Sequence, residues 1–127
     1  MCGKFLRLLP SWERLVYHGA TKVMAITPEG KVKALIKKLL DEYKPNLYGY
    51  MPVPSGYGEP TLDYLCCYKG EAFAIEAKAP GKEPTSRQDA TIERMTEAGM
   101  RVFVVTGGET LDADLEQLRM WLELRKG

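Results

Sequence analysis

The stretch Leu62 to Lys78, LDYLCCYKGEAFAIEAK, decides the fold. Two runs of tyrosine, phenylalanine, leucine, isoleucine and small apolar residues flank Lys69-Gly70. This pattern predicts two strands, Leu62–Tyr68 and Glu71–Lys78, joined by a two-residue turn. Pairing outward from Tyr68 opposite Glu71 sets Asp63 opposite Glu76 and Thr61 opposite Lys78. A bulge at Gly70 is the alternative, and it shifts the register by one. Side chains alternate along a strand, so Glu76 and Lys78 share a face, and Asp63 joins them with β-carbons about 4.5–5.5 Å apart. Ala72, Phe73, Ala74, Ile75 and Ala77 make the second strand read as central, with little room for idle charge. Two opposed carboxylates destabilise a sheet unless a cation lies between them. Oxygen ligands beside a lysine suit Mg²⁺ or Mn²⁺ better than zinc. The competing structural reading makes Asp63 a loop end and Glu76–Lys78 a solvent-facing ion pair.

Working outward, Val32, Leu35, Ile36, Leu39, Leu40 and Tyr43 recur at helical spacing. Thr27 reads as the N-cap, Pro28 as the first helical residue and Glu29 as a favourable charge in the first turn, with Pro45 as the stop. The segment from Asn46 to Pro60, rich in Gly, Pro and Tyr, reads as a long loop. Downstream of the hairpin, Pro80 to Pro84 is a loop and Thr85 to Ala98 a helix closed by Gly99. Arg101–Val105 is a buried strand. Gly107-Gly108 is a turn, and the last helix carries Leu111, Leu115, Leu118 and Leu122 on one stripe. The expected order is α-β-β-α-β-α, a mixed α/β layer structure.

The chain has 127 residues, enough for one domain with a real core. Residues 24–127 form that domain, and residues 1–23 are either a helical arm or a mis-called start ahead of Met24. A single histidine, His18, excludes two-histidine zinc sites and histidine-cluster phosphohydrolases. Net charge is +1, which excludes a simple polybasic coat. That balance hides an asymmetry: residues 1–60 carry nine basic and five acidic side chains, and residues 61–127 carry nine and twelve. The surplus of positive charge sits on Lys31, Lys33, Lys37, Lys38 and Lys44, either a solvated helix face or a phosphate-facing one. Cys2, Cys66 and Cys67 fit neither a zinc motif nor a disulfide framework and read as small buried hydrophobes in a reducing compartment. No apolar run approaches membrane-spanning length, and a cytoplasmic location is expected.

At this point a family resemblance enters. Leu62-Asp63-Tyr64-Leu65, Gly70-Glu71-Ala72-Phe73-Ala74-Ile75-Glu76-Ala77-Lys78, Thr85-Ser86-Arg87-Gln88 and Ala98-Gly99-Met100-Arg101-Val102-Phe103-Val104-Val105 together resemble the PD-(D/E)XK nucleases. The closest pattern is that of the virus-type replication-repair nuclease branch: an aspartate, I-E-x-K, a glutamine on a helix, then G-x-x-V-x-V-V. The likeness runs from about Glu29 to Thr106. Members of that family usually carry a proline directly before the aspartate, whereas here Thr61-Leu62 separate Pro60 from Asp63.

The resemblance implies a restriction-endonuclease-like core, a small mixed sheet flanked by helices, and a nuclease that uses Mg²⁺ or Mn²⁺. Asp63, Glu76 and the Ala77 carbonyl would hold the metal, with Glu29 as an additional acidic ligand. Lys78 would position or activate the attacking water, and Gln88 would orient the site. Two of these residues have competing readings. Gln88 lies three residues after Thr85, a capping-box spacing, and a single glutamine is not expected to serve both purposes. Glu29 is also what any helix start shows. Lys33, Lys37, Lys82 and Arg87 are the expected phosphate contacts, and the Ser55-Gly56-Tyr57-Gly58 loop could let backbone or an aromatic ring approach the strand. The expected substrate is DNA (branched, single-stranded or duplex), cut by structure or without specificity, with a homodimer acting on junctions as one form. The rival readings are an inactive nuclease-fold module that binds nucleic acid or protein, and a plain structural adaptor.

Overall fold

The computed structural model describes residues 27–53 and 58–127. The arm at residues 1–23, the alternative start at Met24, His18, Cys2 and most of the Ser55–Gly58 loop therefore lie outside the described residues. Among those described, three helices flank a four-stranded mixed sheet. Helix α1 is Pro28–Asp41, β1 Leu47–Tyr50, β2 Tyr64–Tyr68, β3 Glu71–Lys78, α2 Ser86–Glu97, β4 Arg101–Thr106 and α3 Leu111–Lys126. Strand order is β1-β2-β3-β4, with β1–β2 and β2–β3 antiparallel and β3–β4 parallel. Among the described residues, no helix is long and apolar enough to cross a membrane.

The hairpin forms in the expected register, with Tyr68 opposite Glu71 and Tyr64 opposite Ile75. Lys69 and Gly70 both take positive φ, 51° and 87°, the combination that a two-residue turn of matching twist requires. No bulge intervenes. β3 is central, paired on both edges.

That register sorts the sheet into two faces. Tyr64, Cys66, Tyr68, Phe73, Ile75, Ala77, Phe103 and Val105 lie on one and pack into a single core with Val32, Ile36, Leu39 and Leu40 of α1 and Leu118 and Leu122 of α3. Burial of each of the larger apolar side chains among these contributes about 1.5–3 kcal/mol. Glu76 and Lys78 lie on the opposite face, where α2 packs near β4 and offers Gln88 to Glu76. α1 begins as its sequence dictates: Thr27 Oγ1 accepts the Gly30 N–H at 3.0 Å, and Pro28 occupies the first turn. Gly107 closes the β3–β4 end. Its N–H donates to the Lys78 carbonyl at 2.9 Å, and an added Cβ would meet Pro80 and Val32 at 3.0 Å.

Three expectations need correction. The segment after Pro45 is not all loop: Leu47–Tyr50 adds a fourth strand, so the order is α-β-β-β-α-β-α. Only Leu47 of that strand is buried, so its edge position leaves almost no hydrophobic pattern to read. The second strand starts at Tyr64 rather than Leu62, which matters for the site. Cys67 is exposed, not buried. Cys66 takes the core face, and Cys67 points to the opposite face, where no helix of the described residues covers it.

Candidate functional site

The ladder between β2 and β3 stops one residue short of Asp63, and the Asp63 side chain completes it. Its Oδ2 accepts the Ala77 N–H at 2.8 Å, and its own N–H donates to Glu76 Oε1 at 3.3 Å. Asp63 and Glu76 are thus neighbours, as the hairpin register requires. Thr61 does not pair with Lys78, because a carboxylate rather than the backbone of Leu62 takes the Ala77 N–H. In an antiparallel ladder a residue turns its N–H and C=O toward the same partner strand. The Ala77 carbonyl therefore faces the edge where the Asp63 carboxylate sits.

Lys78 Nζ lies 3.5 Å from Glu76 Oε2, and both side chains are nearly enclosed. Gln88 reaches the same oxygen from α2, with Nε2 donating at 2.7 Å. It also closes the capping box: its Oε1 accepts the Thr85 N–H at 2.9 Å, and its N–H donates to Thr85 Oγ1 at 3.2 Å. One glutamine makes both sets of contacts, which the sequence reading did not expect. Its two amide ends point in different directions, and the cap fixes which end is left to face Glu76.

Burial pushes the Glu76 carboxyl above the ordinary glutamate range, and the Asp63 carboxylate pushes it further; Lys78 and the Asp63 N–H only partly offset them. Burial pulls the Lys33 ammonium down, but Asp63 and Glu29 outweigh it and hold the group above the ordinary lysine value. The Tyr64 hydroxyl is pushed up to about 12 by burial first and by Asp63 second. It stays protonated and donates to the Lys33 carbonyl at 3.0 Å.

The remaining expected residues divide. Lys33 is drawn into the site, 3.6 Å from Asp63 Oδ1 and 3.3 Å from Glu29 Oε2. Glu29 thus faces Lys33 on its own helix, and among the described residues no group of three or more His, Cys, Asp or Glu side chains converges as a metal cage. Lys37 lies on the exposed face of α1, 3.0 Å from Asp41. Lys82 is exposed in the loop after β3. Arg87 lines a cleft of about 530 Å³ whose floor holds Asp63, Glu76 and Gln88 and whose far wall includes Pro52, Pro60 and Leu62. Arg94, which the sequence reading did not single out, pairs with Glu59 on the rim of the same cleft. Its position, two turns beyond Arg87 on α2, is the only sequence signal for it.

Two carboxylates and a backbone carbonyl are a hard oxygen set. Magnesium commonly takes one or two protein carboxylates and completes its shell with water and phosphate. The donors at the end of β3 fit that demand, and Lys78 supplies a fixed positive charge beside them.

Removing the two halves of the capping box separates the roles of Gln88. Thr85→Ala and Gln88→Ala should each cost about 1 kcal/mol of stability, the ordinary value of a cap. Only Gln88→Ala should also weaken Mn²⁺ uptake at the Asp63–Glu76 end of β3, by roughly 10- to 100-fold, as loss of a group that orients a ligand does. Thermal melts and Mn²⁺ titration of both variants check this; equal affinities would make Gln88 a cap alone.

No protein family, curated protein or solved structure matches the chain.

Proposed function

We propose that the chain is a metal-dependent nuclease built on a restriction-endonuclease-like core and hydrolysing phosphodiester bonds in DNA by structure or without sequence specificity. One observation carries this reading. The fold sets Asp63 beside buried Glu76 at the open edge of Ala77, with Lys78 and Gln88 on the Glu76 oxygen that faces away from Asp63. A structural sheet end gains nothing from two adjoining carboxylates, one of them enclosed.

Asp63, Glu76 and the Ala77 carbonyl would hold Mg²⁺ or Mn²⁺. When bound, such an ion supplies positive charge against the phosphate and acidifies water. The remaining work falls to the chain itself. Lys78 Nζ, 3.5 Å from Glu76 Oε2, orients the attacking water and donates to the phosphoryl oxygens as their negative charge grows. Gln88 locks the Glu76 carboxylate in one rotation. Arg87, on the cleft wall, holds a phosphate next to the scissile one. A homodimer cutting two strands of a junction extends the proposal, and sedimentation at working concentration tests it.

The reading is tested with branched, single-stranded and duplex DNA in Mg²⁺ or Mn²⁺. The parent should cut at least one of them. Asp63→Ala and Lys78→Ala should fall by on the order of a hundredfold or more while keeping their folded circular-dichroism spectra. A parent inert on all three substrates, or a Lys78→Ala variant as fast as the parent, refutes the assignment.

A second reading, an inactive module that binds nucleic acid on the same scaffold, draws on one observation. The carboxylate oxygens of Asp63 and Glu76 already have partners within the protein. Calorimetry separates the two, since a module of that kind takes up no Mn²⁺ at this site.

A further inference from the structure

Lys33 is the cation that the fold sets against Asp63. It stands on the second turn of α1, with Nζ 3.3 Å from Glu29 Oε2 and 3.6 Å from Asp63 Oδ1. Its backbone is held independently, because the hydroxyl of Tyr64 donates to the Lys33 carbonyl at 3.0 Å. Tyr64 follows Asp63 in the chain, so the residues that open β2 anchor this lysine at both ends. The side chains of Lys33 and Asp63 are 30% and 22% exposed, shielded enough for charge pairing to exceed that of a free surface pair.

A divalent ion on Asp63 and the Lys33 ammonium at 3.6 Å are mutually repulsive. Glu29 gives the ammonium somewhere to go, because an (i, i+4) pair on one helix face persists without Asp63. We propose that Lys33 is a tethered cation that competes with the divalent ion for Asp63, and that Glu29 is its resting partner rather than a metal ligand. The proposal rests on the nuclease reading above. It makes the metal affinity of the DNA-free protein a property set by Lys33, and it orients Asp63 before metal and phosphate arrive.

The experiment is Mn²⁺ titration calorimetry of the DNA-free, full-length protein. Lys33→Met and Lys33→Gln should each bind Mn²⁺ roughly tenfold more tightly than the parent, equivalent to about 1.4 kcal/mol. Lys33→Arg keeps the charge and should stay near the parent. Lys37→Met removes an equal charge one turn along the helix, from a lysine paired with Asp41, and should also stay near the parent. Parent-like affinity in both neutral Lys33 variants overturns the competition and leaves the nuclease reading standing. Equal tightening in Lys37→Met overturns it as well, because the effect is then one of overall charge. No Mn²⁺ uptake by any of these proteins overturns the competition and the metal-dependent nuclease together.

Discussion

Glu76→Gln should reduce DNA cleavage by on the order of a thousandfold while leaving the protein more stable at neutral pH than the parent. On the nuclease reading proposed above, the loss of activity follows from removing one of the two carboxylates at the end of β3 that would hold the metal. The gain in stability follows from the electrostatics. Burial and Asp63 outweigh Lys78 and hold the Glu76 carboxyl above its ordinary value in the folded state. A group shifted in this direction contributes its stability fully below the unfolded value and loses it as pH rises through the folded one. At neutral pH the charged carboxylate is therefore a liability to the fold. The amide has the same shape, and its oxygen can still accept from Gln88 Nε2, the shorter of the two bonds to Glu76 at 2.7 Å. The bond given up is the 3.3 Å contact from the Asp63 N–H. Thermal melts at pH 4 and pH 7 check the sign. The advantage of Glu76→Gln should be larger at pH 7, and a variant less stable than the parent at pH 7 would mean that Lys78 needs its partner more than Glu76 suffers from Asp63.

This trade between stability and a charged site explains which parts of the molecule were legible in the sequence. The hairpin was, because Lys69-Gly70 sets a turn whose register carries straight to Asp63 and Glu76. The helix ends were, because Thr27, Thr85 and Gly99 act through local geometry alone. β1 was not. Tyr48-Gly49-Tyr50 sits among glycines and prolines, and an edge strand that buries one residue has almost no alternation to show. That Gln88 caps α2 while also reaching Glu76, and that Lys33 reaches Asp63, was illegible for a different reason. Each depends on where a helix lies relative to the sheet. Local spacing correctly gives the capping box of Gln88 and the Glu29–Lys33 pair, but it contains nothing about the distance from α2 to Glu76 or from α1 to Asp63. The distance from α1 to Asp63 comes from the core face, where Ile36, Ile75 and Leu118 fix the layers, and that from α2 to Glu76 from the opposite face, where α2 packs near β4.

Phe73→Ala should remove about 3–5 kcal/mol of stability, the largest loss expected of any single truncation here. Phe73 is fully buried at the start of β3, with its ring centroid 5.0 Å from that of Trp121 and 6.2 Å from that of Phe103. Those two rings also contact each other, at 5.8 Å, so the three aromatics form a closed set. Arg125 stacks on Trp121 and Arg101 on Phe103 from outside, at 3.8 and 4.8 Å. Rings held on their outer sides by arginines cannot readily move inward to fill the space left by the missing one, so the cavity should persist. A domain of this size has about 5–15 kcal/mol in total, so the variant should unfold at a much lower urea concentration with an unchanged slope. Phe73 lies on the core face and Glu76 on the other, three residues along the same strand. Under conditions where the variant remains folded, cleavage per folded molecule should therefore stay near the parent's. Phe73→Ala and Glu76→Gln thus move stability in opposite senses, and only the second moves activity, from positions about 10 Å apart along one strand. A Phe73→Ala loss below about 1 kcal/mol would show that α3 can close onto the sheet and that the aromatic set is not what fixes the layers.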